Sequence, residues 1–130
     1  ILSFEIKKTF IKMSVSYIYH KGKKVMYCDY SQCQTVEATL AVLNSAKLEY
    51  LKSKENFLVL NDFSNCVVSN EFMAKAREYG KELFDERTPK TASIGITGIK
   101  KILIGTYNIV VKNKLSIFDS KEDALDFLVC

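Results

Sequence analysis

The sequence predicts a single α/β domain: a mixed, mostly parallel sheet of about five strands with an antiparallel N-terminal hairpin and about four helices, in the order ββαβαβαβα. Three observations carry that expectation. The run Phe57-Leu58-Val59-Leu60 is continuously apolar rather than alternating, the pattern of a central strand covered on both faces. Phe72, Ala76, Tyr79, Gly80 and Leu83 recur on one face of a helical period, while Lys75, Glu78, Lys81 and Glu82 face away. Beyond an initial hairpin, each strand pattern is followed by a helix pattern, which implies right-handed crossovers and parallel neighbours.

The elements follow in order. Residues 1–13 alternate apolar and polar in part and read either as an edge strand or as a basic extension, with Lys7, Lys8 and Lys12 against Glu5. The domain proper is expected over 14–130. Val15 to Tyr19 and Val25 to Tyr30 alternate around the turn His20-Lys21-Gly22-Lys23, which is a β-hairpin by period and by turn chemistry. Thr35 is placed to cap a helix with Glu37 in its positive first turn. Val36, Leu40, Leu43, Ala46 and Tyr50 share one side of it, where Lys47 must snorkel. After the central strand the chain turns at Asn61-Asp62, and Ser69 or Asn70 caps the second helix, which stops at Thr88-Pro89 because a residue before proline avoids helical backbone. Thr91 to Ile96 reads as another buried strand, Ile99 to Lys112 as a third helix and Lys114 to Phe118 as a short last strand. Ser120-Lys121-Glu122-Asp123 opens a closing helix in the manner of a capping box.

Composition narrows the function classes. In 130 residues, one proline and five glycines leave no room for a disordered linker. The net charge of +4 arises from 19 basic and 15 acidic residues interspersed along the chain, a mild field that does not call for a nucleic-acid partner. The longest apolar stretch, Ile102 to Val111, is interrupted by Gly105, Thr106 and Asn108 and is too short to span a bilayer; with no signal-peptide pattern, a cytoplasmic location is expected. Cys28, Cys33, Cys66 and Cys130 lack metal-ligand spacing and are expected as thiols, mostly small core residues. His20, the only histidine, sits in a lysine-rich turn, so neither a zinc site nor a Cys-His nucleophile is expected, and no cofactor is implied. Asp29, Asp62 and Asp119 fall near strand ends, where acids serve as turn formers or line a ligand crevice. No constellation points to catalysis.

The element order, with Asn61-Asp62-Phe63-Ser64 before a capped helix and Gly95-Ile96-Thr97-Gly98-Ile99-Lys100-Lys101 before the third, resembles the STAS superfamily over roughly Ser14 to Val129. More narrowly it resembles stand-alone proteins related to the sporulation anti-sigma-factor antagonist and, more distantly, CRAL-TRIO lipid carriers. The resemblance implies a non-enzymatic regulatory or protein-interaction module whose partner is a kinase or regulatory protein. In its phosphorylated members a strand ending in Asp-x-Ser runs into a helix whose N-terminal serine is modified. Asp62 and Ser64 match the first feature and Ser69 is the nearest match to the second, but Val68-Ser69-Asn70-Glu71 stands where Asp-Ser-Ser-Gly is usual.

Three candidate sites follow. Asp62, Ser64, Ser69 and Asn70 form a docking or phosphorylation loop, in which Ser69 is either a switch or simply a cap. Thr97, Gly98, Lys100 and Lys101 form either an anion-binding nest or an ordinary tight turn with solvated lysines. On the third helix, Lys101, Gly105, Asn108 and Lys112 make a narrow polar stripe. Ile104, Tyr107 and Val111 then exceed what one core face needs. They either line a lipid pocket, meet a membrane surface, form a homodimer contact or lie buried under a neighbouring segment. The competing function is therefore a carrier of a lipid or other apolar ligand.

Overall fold

The structure, a computed structural model, describes residues 14–98 and 115–130. The first hairpin joins β1 (Val15–His20) to β2 (Lys23–Asp29), with Val15 opposite Cys28 and His20 opposite Lys23. Its two-residue turn places Lys21 at φ 49 and Gly22 at φ 80, the left-handed pair that matches the twist of the flanking strands. Nothing lies within 4 Å of the position a Gly22 Cβ would take, so glycine serves conformation there and not space.

Helix α1 (Val36–Leu51) leads to β3 (Leu58–Asp62), α2 (Asn70–Tyr79) leads to β4 (Lys90–Ile94), and β5 (Leu115–Ile117) precedes α3 (Lys121–Val129). The sheet runs β1-β2-β3-β4-β5, antiparallel in the first pair and parallel in the others. The expected single α/β domain with an antiparallel hairpin on a parallel sheet is what forms. Two readings fall outside the described residues: the segment 1–13 and the third helix, Ile99 to Lys112, with Lys100, Lys101, Ile104, Tyr107 and Val111. β4 ends at Ile94 and not at Ile96, because Gly95 at φ 76 leaves the strand.

Pleating sends successive side chains to opposite faces. Met26, Cys28 and Val59 pack under α1 and α2, whereas Val25, Leu60, Ala92 and Ile94 pack against α3. The continuous apolar run at the centre of the sequence is thus explained: Val59 and Leu60 serve different cores. On α1 the inward face is rotated from the expected one, with Thr39 and Val42 buried while Val36 and Leu40 are only partly so. Lys47 does snorkel, its Nζ 4.1 Å above the Tyr79 ring and 3.7 Å from the Glu82 carboxylate.

The second helix is not uniform. After Tyr79 it widens into a π-helical stretch, Gly80–Phe84, before a last α turn, Asp85–Arg87; the Asp85 N–H donates to the Gly80 carbonyl. The wider turn brings Phe84 against Tyr50 and Tyr79, with ring centroids 4.7 and 6.2 Å away. Arg87 then ties this end to the end of α1. Its guanidinium donates to the carbonyls of Tyr50 (2.8 Å), Ser53 (3.0 Å) and Glu55 (2.7 and 3.1 Å).

On the other face, lysines meet the C-terminal carbonyls of α3, where the helix dipole favours positive charge. Lys23 Nζ donates to Val129 O at 3.1 Å and Lys90 Nζ to Phe127 O and Cys130 O at 3.0 Å each. The hairpin turn is pinned to the same helix, with His20 Nε2 2.7 Å and Lys21 Nζ 3.0 Å from Asp126 Oδ1.

Candidate functional site

Parallel strands bring their carboxyl ends together, and in an open α/β sheet that edge gathers ligands. Here the ends of β2, β3 and β4 carry three connected segments: Tyr30 to Gln34, Phe63 to Asn70, and Gly95 to Gly98. Backbone bonds stitch them into one surface. Tyr30 N–H donates to Asp62 O (2.9 Å), Gln32 N–H to Ser64 O (3.0 Å), Phe63 N–H to Ile94 O (2.9 Å) and Val67 N–H to Cys33 O (2.9 Å). The Gln34 side-chain amide adds a donor to Asn65 O.

Beneath the surface lies an aromatic triad. Tyr30 stacks on Phe63 at 4.7 Å between centroids, and Phe72, from the first turn of α2, meets both rings edge-on. Above it, backbone geometry is unusual. Three non-glycine residues among those described have positive φ, and two of them, Gln32 (φ 70) and Asn65 (φ 51), stand on this surface. Such conformations concentrate where function or tertiary contacts over-determine the chain.

Asp62 organises the loop. Its Oδ2 accepts from the Tyr27 phenol at 2.9 Å and its Oδ1 from the Ser64 N–H at 3.0 Å. Burial first, and then this bond to Asp62, holds the Tyr27 phenol well above the usual tyrosine range, so it remains a donor. Asp29 closes the end of β2 in the same way, its Oδ1 accepting from the Ser31 N–H at 3.0 Å and from the Ser31 hydroxyl. Both acids form turns, one of the two roles open to aspartates at strand ends.

Ser69 is the N-cap of α2: its Oγ accepts from Phe72 N–H at 3.0 Å, and Asn70 is the first, exposed helical residue. Ser64 is half-buried, and its neighbour is unexpected. A Cβ on Gly95 would lie 2.4 Å from the Ser64 backbone nitrogen and 2.6 Å from its Oγ. The docking loop and the glycine segment that follows β4, read from the sequence as separate candidates, are therefore in direct contact. Thr97 and Gly98 are exposed, while the remaining members of the anion and apolar-ligand groups, Lys100, Lys101, Ile104, Tyr107 and Val111, lie outside the described residues. Between the segments a recess of about 430 Å³ is lined by Gln34, Asn65, Cys66, Val67, Gly95 and Thr97. The sequence offered one overlooked signal for it: Ser64-Asn65 is a dipeptide suited to a left-handed turn.

Among the described residues no group of three or more His, Cys, Asp or Glu side chains has metal-binding geometry, and no helix is long and apolar enough to cross a membrane. Buried Cys28 is a poor nucleophile, its thiol pushed up to about 12 by desolvation.

No protein-family model and no curated protein matches the chain. Its fold is similar to that of an uncharacterized protein from the DUF3478 family, with a SpoIIAA-like fold, from Shewanella loihica PV-4. The two superpose with a TM-score of 0.67 over 88% of this chain and 91% of the other, at 16% sequence identity. The fold of the chain is accordingly SpoIIAA-like, that is, STAS-like.

Proposed function

We propose, taking the SpoIIAA-like fold as premise, that the chain is a non-enzymatic regulatory module. It binds a protein partner through the surface made by the loops after β2, β3 and β4, and phosphorylation of serine switches that binding. The observation that supports this reading most is the fusion of Ser64 and Gly95 into one stitched surface carrying a polar recess and the exposed Val67. A rigid, partly polar face with an apolar point at its rim suits a modest, reversible protein contact. Ser69 is the modification site of choice, since a phosphate there sits on a helix N-terminus with free N–H groups while adding negative charge to the docking face. The sequence supports the non-enzymatic part, through its single histidine and the lack of a catalytic constellation. A cytoplasmic location belongs to the same proposal.

The test is affinity purification of the whole chain from its own cells, with Ser64→Ala, Ser69→Ala and Ser69→Asp variants beside the parent. One partner should be retained by the parent and by Ser69→Ala and lost at least tenfold with Ser69→Asp. Identical partner recovery across all variants would sink the proposal. The competing reading, a lipid carrier with its ligand between the third helix and the sheet, rests on residues outside those described, and no observation favours it at that place.

A further inference from the structure

The two helices on the Met26 face do not close fully on the sheet. Between them lies a cavity of about 80 Å³. Two cross-strand rows make its floor, Met26–Val59–Thr91 and Cys28–Asn61, the register placing each residue beside the next. Small side chains leave the gap open above: Ala46 from α1 and Ala76 from α2, both buried, face it together with Leu43 and Met73. The π-helical stretch bounds one side, where Phe84 and Asp85 join the lining. An inserted residue of this kind widens a helix at some cost to its hydrogen bonding and recurs at functional sites. One strand beyond Asn61, the fully buried Ser93 hydroxyl lacks a hydrogen-bond partner among the described residues, so this corner of the sheet has polar capacity to spare.

We infer that this cavity is a binding site for a small uncharged molecule with an apolar body of about three to five heavy atoms and one hydrogen-bonding group, which Asn61 holds. Size sets the upper limit. A cavity near 150 Å³ holds benzene and a single water needs roughly 10–15 Å³, so this one exceeds a water and excludes an acyl chain. Chemistry sets the class: no lysine or arginine lines the walls, which rules out an anion. Of the polar side chains in the mainly apolar lining, Thr88 is bonded to Tyr50 and Asp85 is engaged on the π-helical side, so the Asn61 amide beside Thr91 is what meets a short alcohol or amide. The site is independent of the partner surface in position, although Tyr30, Phe63 and Phe72 serve as walls of the cavity and as the support of the loops.

Xenon and 2-propanol are the probes, read by NMR on the whole chain labelled at methionine methyls, because Met26 and Met73 both line the cavity. Both methyl signals should shift saturably with either probe. Ala46→Leu, which fills the space, should weaken both responses at least tenfold; Ala76→Val serves the same purpose if that variant does not fold. Asn61→Leu should weaken the 2-propanol response at least tenfold and leave xenon unchanged. Shifts that rise linearly with 2-propanol without saturating overturn the inference. So does an Asn61→Leu variant that binds 2-propanol as the parent does, since the cavity is then a packing void.

Discussion

Gly95 carries two demands that no other residue meets. Its φ of 76 lies where side chains are strained, and its missing Cβ leaves room for the backbone of Ser64, which cannot retreat as a flexible side chain would. Gly95→Ala should therefore destabilise the chain by about 3 kcal/mol in urea unfolding. A loss under about 1 kcal/mol would mean the loops are not held together by this contact. Contrast Gly22, whose Cβ would meet nothing and which is needed for φ alone. The N-caps stand at the opposite extreme of legibility. Thr35 and Ser120 are identifiable from the residues that follow them and Ser69 is one of two candidates beside Asn70; each of the three accepts from an N–H three positions on, at 3.1, 3.1 and 3.0 Å. A cap is decided within one helical turn, whereas Gly95 answers to a residue thirty-one positions earlier.

Element type was readable because each element's apolar pattern states how many of its faces are covered. β3 reads as buried on both faces and is; β1 and β2 read as a hairpin and are. What escaped the pattern was set by partners distant in sequence. The π-helical stretch forms where α2 must present Phe84 to Tyr50, and nothing in the spacing of Phe72, Ala76 and Leu83 registers that demand. No sequence pattern singles out Arg87. Its three carbonyl partners lie between Tyr50 and Glu55, so it completes the C-terminus of α1 and not of its own helix. Arg87→Ala should cost about 2 kcal/mol, from the loss of several charge-assisted bonds to half-buried and exposed carbonyls. Arg87→Lys should recover less than half of that, because an ammonium cannot reach three carbonyls as a planar fork does. Chemical unfolding of both variants is the check, and full recovery by lysine would mean that charge alone matters.

At the scale of the whole molecule, the hairpin and α3 are joined across the sheet by charge. The His20 hydrogen bond, then that of Lys21, holds the Asp126 carboxyl below the usual carboxylate range. A carboxyl lowered on folding stabilises the native state fully above its unfolded pKa, near 3.8, and loses that contribution as pH falls through the folded value. Asp126→Asn should therefore flatten the decline of the unfolding temperature below about pH 4. An unchanged acid limb would show that the contact does not form in solution. The joint also bears on how the chain acquires its fold. Among the described residues strand order in the sheet repeats strand order in the sequence, so each of these strands pairs with the described strand before it. Pairing in this order lets a nascent chain add the sheet one strand at a time as it leaves the ribosome, each parallel strand waiting for the crossover before it. Among the described elements α3 reaches back furthest, 106 residues from Asp126 to His20, so it docks on a hairpin formed long before it.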